Sequence, residues 1–279
     1  MRTRAVRGLR LTEIGLGVAQ FGNLYRATSD AEASGAFEAA WAGGVRYVDT
    51  APHYGLGLSE RRIGALLAGR AREEFVLSTK VGRLLVPDAA GADRLDDEGF
   101  HVPASTRRVW DFSADGVRRS LEESLARLGT DRIDLVYLHD PDDHWEQASR
   151  EAVPALVALR EQGVIGAIGA GMNQAGMLAE FVRRCDIDVV MCAGRYTLLD
   201  RTAAATLLPL ATERGVAVVA AGVYNSGLLA RPRPDAGAHF DYGPASPELL
   251  ARVHAIADLC ERHGVTLPQA AVQFPLLHP

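Results

Sequence analysis

Short apolar runs alternate with helical patterns along this chain, and that alternation leaves few folds open. The candidate strands are Ile14–Gly17, Val45–Asp49, Phe75–Lys80, Ile133–His139, Ile165–Gly169, Ile187–Cys192 and Val216–Ala221. Between them lie amphipathic segments at Asp30–Ala42, Ser59–Ala68, Ala114–Leu128, Glu151–Gln162, Gln174–Arg183 and Arg201–Glu213. Runs of β-branched residues bounded by Gly and Asp are signals of buried strands. A helix between two such strands is the crossover that parallel pairing requires. Gly43-Gly44, Gly129, Gly163 and Gly215 each follow a helical pattern, where a C-terminal stop belongs. Seven βα units of roughly 25–50 residues point to a parallel (β/α)8 TIM barrel more than to an open sheet. A doubly wound dinucleotide fold would carry G-x-G-x-x-G after its first strand, but Gln20 breaks that pattern after Gly15 and Gly17. Gln174 breaks it again after Gly169 and Gly171.

No composition shift marks a boundary, so residues 1–279 read as one α/β domain. Arg83–Asp111 and Leu229–Pro247 read as long irregular stretches, the second with four prolines. A closed barrel needs an eighth strand, and Leu267–Leu276 reads as helical. The domain is therefore expected to be C-terminally incomplete here, with the natural chain running on past Pro279 by roughly 40–60 residues, the scale of a βα unit and a terminal helix.

Lys80 is the single lysine among 30 Lys and Arg residues. Arginine is always charged and forked; a lysine ammonium is compact and its pKa responds to burial. The position that kept lysine ends an apolar run, where a charge needs a partner or a task. Bulk properties exclude several other functions. Net charge of −5 gives no electrostatic case for nucleic acid or an anionic membrane. Cys185, Cys192 and Cys260 are odd in number and far apart, which argues against a disulfide framework and a metal site. No apolar run is long enough for a signal or membrane segment, so a cytoplasmic protein is expected.

Four polar residues cluster at consecutive strand ends: Asp49, Tyr54 five residues on, Lys80 and His139. In a (β/α)8 barrel those ends share one mouth. Singly, each has an ordinary explanation: a helix cap, a packed tyrosine, a solvated lysine, a satisfied histidine. Together they form a proton-handling set. Lys80, kept charged by Asp49, would favour the phenolate of Tyr54 and pull its pKa from about 10 towards neutrality. Tyr54 could then exchange a proton with a carbonyl or hydroxyl oxygen that His139 orients. The set lacks an electron acceptor, and a hydride-carrying cofactor would complete it.

Gly15-Leu16-Gly17-Val18-Ala19-Gln20-Phe21-Gly22, Asp49-Thr50-Ala51-Pro52-His53-Tyr54-Gly55, Ser78-Thr79-Lys80 and Leu138-His139-Asp140-Pro141 resemble the aldo-keto reductase superfamily from about Leu9 to Pro279. That resemblance implies a (β/α)8 barrel binding NADP or NAD at its C-terminal mouth, with Asp49, Tyr54, Lys80 and His139 as the catalytic tetrad. It also implies cofactor contacts from Gly17, from Asn173 to the carboxamide, from Tyr224 stacked on the nicotinamide, and from Asn225, Ser226, Gly227 and Leu228 to the pyrophosphate. Ala193 stands where many members have a glutamine. Within the superfamily the chain is most similar to the L-fucose, D-threo-aldose and galactose dehydrogenases and to pyridoxal 4-dehydrogenase. The implied activity is oxidation of an aldose at C1 to a lactone. Phe100 and Trp110 are candidate apolar walls of the substrate site, or else they pack the loop onto the rim.

Three other readings compete. A general aldehyde or ketone reductase runs the same residues backwards, and a Schiff-base aldolase would use Lys80 as a nucleophile. A non-catalytic cofactor-binding barrel would retain the site without turnover. The partner expected is a small sugar or carbonyl compound; oligomeric state is not legible.

Overall fold

The computed structural model describes residues 1–241 and 243–278. Two antiparallel strands open the chain, β1 (Thr3–Val6) and β2 (Leu9–Thr12). Arg7 and Gly8 join them, both at positive φ, the geometry of a tight two-residue hairpin turn. The alternating elements follow: β3 (Leu16–Gly17), α1 (Asp30–Ala42), β4 (Tyr47–Asp49), α2 (Leu58–Leu67) and β5 (Val76–Val81). After a second hairpin, β6 (Arg83–Pro87) and β7 (Thr106–Trp110), come α3 (Ala114–Leu128) and β8 (Leu135–His139). Next are α4 (Trp145–Gln147), α5 (Val153–Glu161), β9 (Ala167–Met172), α6 (Ala175–Arg184), β10 (Val189–Ala193), α7 (Leu207–Arg214) and β11 (Ala217–Ala221). Two residues each form β12 (His239–Phe240) and β13 (Gly243–Pro244), before α8 (Pro247–Arg262) and α9 (Leu267–Gln273).

The chain forms two compact units. The first holds residues 1–170 and 185–189, and the second the remaining described residues. In the first, β9 lies beside β8, then β5, β4 and β3. Pairing from β3 to β8 is parallel, with Gly17 opposite Asp49, Asp49 opposite Ser78, and Lys80 opposite Tyr137. In the second unit β10 lies beside β11. All seven expected strands are present, and their ends fall within two or three residues of the expected ones. From β4 to β10 these parallel strands are largely buried on both faces, while β3 and β11 are only partly covered; Leu77, Val81 and Leu135 to Leu138 are essentially inaccessible.

Helix ends follow local chemistry. Ser29 and Glu32 close a capping box on α1, and those hydrogen bonds hold the Glu32 carboxyl down at about 2. Ser113 caps α3, and Gly129, in the left-handed region, ends it. Ser246 caps α8, and Thr266 with Gln269 repeats the capping box at α9. The expected irregular stretch Arg83–Asp111 is corrected: its two ends pair as β6 and β7, from Arg83 opposite Trp110 to Pro87 opposite Thr106. The stretch between them folds back, so that Phe100 and Val102 join Leu56 and Leu85 in a small apolar cluster. In the second unit Leu199, Leu228, Leu229, Val253 and Ala257 form the core on which α8 and α9 pack.

Two close approaches explain glycines in the motifs. A Cβ on Gly55, itself at φ +62°, would lie 2.2 Å from the carbonyl oxygen of Gly22. Gly82 has φ +109°, and a Cβ there would stand 2.2 Å from the Phe112 ring. Gly129 is also left-handed but faces open space. Gly82→Ala should therefore cost ~2–4 kcal/mol, combining overpacking with the conformational penalty. Gly129→Ala should cost only about 1 kcal/mol. Urea unfolding of the two variants measures the difference.

Candidate active site

The four candidate catalytic residues come together in the first unit. Asp49 ends β4, Lys80 lies in the last turn of pleat of β5, His139 ends β8, and Tyr54 sits in the loop after β4. Lys80 is only 2% exposed. Its Nζ donates to Asp49 Oδ2 at 2.6 Å and to the Thr50 carbonyl at 2.9 Å, and stands 4.7 Å from the centre of the Tyr54 ring. The Tyr54 and His139 rings meet edge to face at 5.7 Å.

A chain of hydroxyls continues below the pair. Ser78 Oγ lies 2.7 Å from Asp49 Oδ1 and 3.1 Å from the Tyr47 hydroxyl, which lies 3.1 Å from that of Tyr137. A carboxylate only accepts, so Ser78 spends its single proton on Asp49, Tyr47 donates to Ser78, and Tyr137 donates to Tyr47. Burial, then the charge of Asp49, raises the Tyr47 pKa; burial, then Tyr47, raises that of Tyr137, so both stay protonated donors. This buried network was not visible as a site in the sequence, because Tyr47, Ser78 and Tyr137 read as ordinary strand residues.

The electrostatics correct one expectation. Burial penalises the Lys80 charge, but Asp49 and Tyr54 outweigh it and hold the ammonium protonated. A Schiff-base nucleophile must shed that proton, so the geometry disfavours the aldolase reading. For Tyr54, burial is the largest influence and raises the pKa; Lys80 opposes it without reversing it. The expected drop towards neutrality is therefore not seen, because desolvation of the phenolate exceeds the stabilisation by the ammonium. Burial, then Arg83 and Lys80, pushes His139 well down, so it is neutral at pH 7. Its Nδ1 is buried without a partner in the protein.

Around this centre stands a charged rim that sequence reasoning missed. Arg83, on β6, pairs with Asp140 and contacts His53 Nδ1 at 3.1 Å. Arg108, on β7, grips Asp96 through two bonds of 2.6 and 3.0 Å and donates to the His53 carbonyl at 2.9 Å. His53 and Asp140 lie inside the quoted motifs, and Arg83 opens the flagged stretch, which were the available signals. Phe100 is buried, 5.1 Å from the His53 ring and 6.2 Å from that of Tyr54. Trp110 is 44% exposed and carries the Arg83 guanidinium over its ring at 4.2 Å.

The second unit holds the other candidates except Gly17, which is exposed at the end of β3. Asn173 Nδ2 donates to the Ala193 carbonyl at 2.9 Å, fixing the amide at the end of β9. Asn225 is buried; its Nδ2 donates to the Gly194 carbonyl at 3.3 Å, and its Oδ1 is buried without a partner. Tyr224 is half-buried against the apolar cluster of the second unit. Asn225, Ser226 and Gly227 are successively left-handed, and a Cβ on Gly17 or Gly227 would meet nothing within 4 Å. The N–H groups of Gly227 and Leu228 are donated within this turn, to Tyr224 and Asn225. Within the second unit, a fixed side-chain amide at Asn173, an orphaned buried amide oxygen at Asn225 and Gly227 facing open space fit a planar carboxamide-bearing ring such as nicotinamide.

The sequence model of the aldo/keto reductase family matches residues 13–279. This chain belongs to that family. It is 50% identical over 277 residues to D-threo-aldose 1-dehydrogenase from Pseudomonas sp., covering 98% of this chain and 84% of that protein. It is 41% identical to pyridoxal 4-dehydrogenase from Microbacterium luteolum, covering 97% and 84%. A solved aldo-keto reductase of Bacillus halodurans, in its holo form, superposes with a TM-score of 0.73 at 29% identity, covering 100% of this chain and 83% of that one. The (β/α)8 fold class is borne out, with seven parallel strands among the described residues. As an aldo-keto reductase the chain is an oxidoreductase that works with a nicotinamide cofactor.

Tyr54→Phe and Lys80→Met should each lower kcat by at least ~10²-fold, the scale of a lost positioned acid–base group. Lys80→Arg should restore only part, because a planar fork cannot replace the ammonium between Asp49 and Tyr54. Oxidation needs Tyr54 deprotonated, so its rate should climb with pH. Removing the cation that favours phenolate should move the inflection of Lys80→Met to higher pH. Steady-state pH profiles of both enzymes check the sign.

Proposed function

We propose that this aldo-keto reductase is an aldose 1-dehydrogenase, using NADP or NAD to oxidise the anomeric carbon of a sugar to its lactone. The observation that carries the chemistry is the buried Lys80–Asp49 pair set against Tyr54 and His139. The named activities of the relatives at 50% and 41% identity support the substrate class. Tyr54 takes the anomeric hydroxyl proton. Lys80, held charged by Asp49, stabilises the phenolate that accepts it. Neutral His139 hydrogen-bonds the same oxygen and sets the direction in which the C1–H bond points. A bound nicotinamide supplies the acceptor for the hydrogen and electron pair leaving C1. Asn173 would hold its carboxamide, Tyr224 its ring, Gly17 its edge, and Asn225, Ser226, Gly227 and Leu228 its pyrophosphate. Phe100 and Trp110 serve as apolar walls. It would act in the cytoplasm, where thiols such as Cys192 and Cys260 stay reduced.

Carbonyl reduction is the second reading, and one observation favours it. Burial keeps Tyr54 protonated at neutral pH, ready to act as the acid that a reduced carbonyl needs. A panel of aldoses and aldehydes with NAD⁺, NADP⁺ and their reduced forms, followed at the nicotinamide absorbance, tests the assignment. The expected result is aldose oxidation that quickens above neutrality and exceeds oxidation of simple primary alcohols. Reduction of aromatic aldehydes with no aldose oxidation at any pH would move the protein to carbonyl reductase. Cofactor binding without turnover would make it a binding barrel.

A further inference from the structure

We propose that Asp140 and Arg83 are a hydroxyl-recognition pair that selects substrates carrying a hydroxyl beside the reacting carbon. This deepens the aldose reading and rests on it. The tetrad accounts for chemistry at one oxygen and makes no use of a second.

Asp140 directly follows His139 and holds φ +45°, a backbone region that non-glycine residues seldom occupy and that clusters at functional sites. Its carboxylate pairs with Arg83, yet the two are unequally covered: the Arg83 side chain is 9% exposed and that of Asp140 33%. The pair therefore presents a wet carboxylate face backed by a sheltered guanidinium. Trp110 covers that guanidinium from one side, and the Arg83 Nε is buried without a side-chain or backbone partner. Arg83 also reaches His53 Nδ1, and the His53 ring stands 5.4 Å from that of His139 and 5.9 Å from that of Tyr54. Arginine only donates, so His53 Nδ1 accepts. Burial and the neighbouring arginines keep His53 neutral, which leaves its proton on Nε2. One short strip beside the reacting centre thus offers an acceptor-only carboxylate, a donor-only guanidinium and an imidazole N–H. A hydroxyl both donates and accepts, and a pair of neighbouring hydroxyls satisfies such a strip. A bare alkyl chain leaves it desolvated and unmatched. Sites built to bond a hydroxyl reject the analogue without one far more strongly than apolar pockets reject an added one. Arg83 arrives on the β6–β7 hairpin, so the insertion that lengthens this βα loop also brings the selecting group.

The competing account is a latch in which Arg83 and Asp140 merely pin the hairpin. Reduction of glyceraldehyde and of propanal separates the two accounts, since both are three-carbon aldehydes run in one direction with one cofactor. The wild-type protein should favour glyceraldehyde in kcat/KM by at least ~30-fold, a floor below the roughly 10⁴–10⁵ that a site built to bond a hydroxyl can reach. In Asp140→Asn and Arg83→Met the preference should shrink by about tenfold or more, mainly through the KM for glyceraldehyde. Arg83→Lys should recover part of it. The double variant should lose little more than either single, because the two act as one unit. Thermal midpoints establish that each variant is folded, and Asp140→Asn, which keeps its size, serves if Arg83→Met is not. Equal losses on both aldehydes, a wild type that does not discriminate, or one that turns over neither aldehyde would overturn the proposal. Failure of the underlying aldose reading shows separately, as wild-type protein that oxidises no aldose with either nicotinamide.

Discussion

The Lys80–Asp49 ion pair is the constraint around which the first unit is arranged. Both charges are withdrawn from water, and a buried charge left without its partner costs about 3–5 kcal/mol. Each oxygen of Asp49 is accordingly engaged, one by Lys80 and one by Ser78. Lys80 finds a second acceptor in the Thr50 carbonyl. Register does the rest. With Asp49 opposite Ser78, and Lys80 two residues further along the same strand, the carboxylate, the serine and the ammonium share one face of the parallel pair. Slipping β5 by one residue would turn Lys80 out of the site and strand Asp49. The hydroxyl chain through Tyr47 and Tyr137 extends this logic into the core, where two phenols that would otherwise be buried unsatisfied become donors behind the Lys80–Asp49 pair.

The same burial sets the ground state of the reactive group. A cation beside a phenol favours phenolate, but a phenol with little access to water resists ionisation, and at Tyr54 the second effect is larger. His139 is pushed the other way, towards neutrality, by burial and by Arg83 and Lys80. A protonated phenol beside a neutral imidazole offers hydrogen bonds to an uncharged oxygen without placing an extra charge beside it. In the proposed oxidation, Tyr54 would ionise only as the substrate proton moves.

Much of this was legible before any coordinates. The seven strands were readable because a strand buried on both faces must be continuously apolar, and β8, Leu135 to His139, is such a run. Their edges were less legible: β9 runs on to Met172 past Gly169, where the expected strand ends, and a Cβ on Gly169 would strike the Val189 carbonyl. The β6–β7 hairpin was hidden because Arg83 to Pro87 and Thr106 to Trp110 mix charge with apolar residues and are separated by a long insert. The lone lysine and the order Asp, Tyr, Lys, His marked the tetrad. The sign of the Tyr54 shift was not legible, since sequence tells which charges are near but not how much water is removed.

The scaffold and the hairpin divide the labour. Asp49, Lys80 and His139 stand on β4, β5 and β8, where parallel pairing fixes them to one another. Tyr54 is the only tetrad member on a loop, and the mutual approach of Gly22 and Gly55 clamps that loop at its next residue. The chemistry thus depends on elements that tolerate little change. Arg83, Phe100 and Arg108 belong to an insertion that joins the core through the cluster of Leu56, Leu85, Phe100 and Val102 and through its ion pairs. Loops carried on a rigid scaffold vary more readily than the scaffold itself, which is how one barrel architecture serves many substrates. On the proposed reading, the charged rim selects the substrate and the four residues behind it set the chemistry.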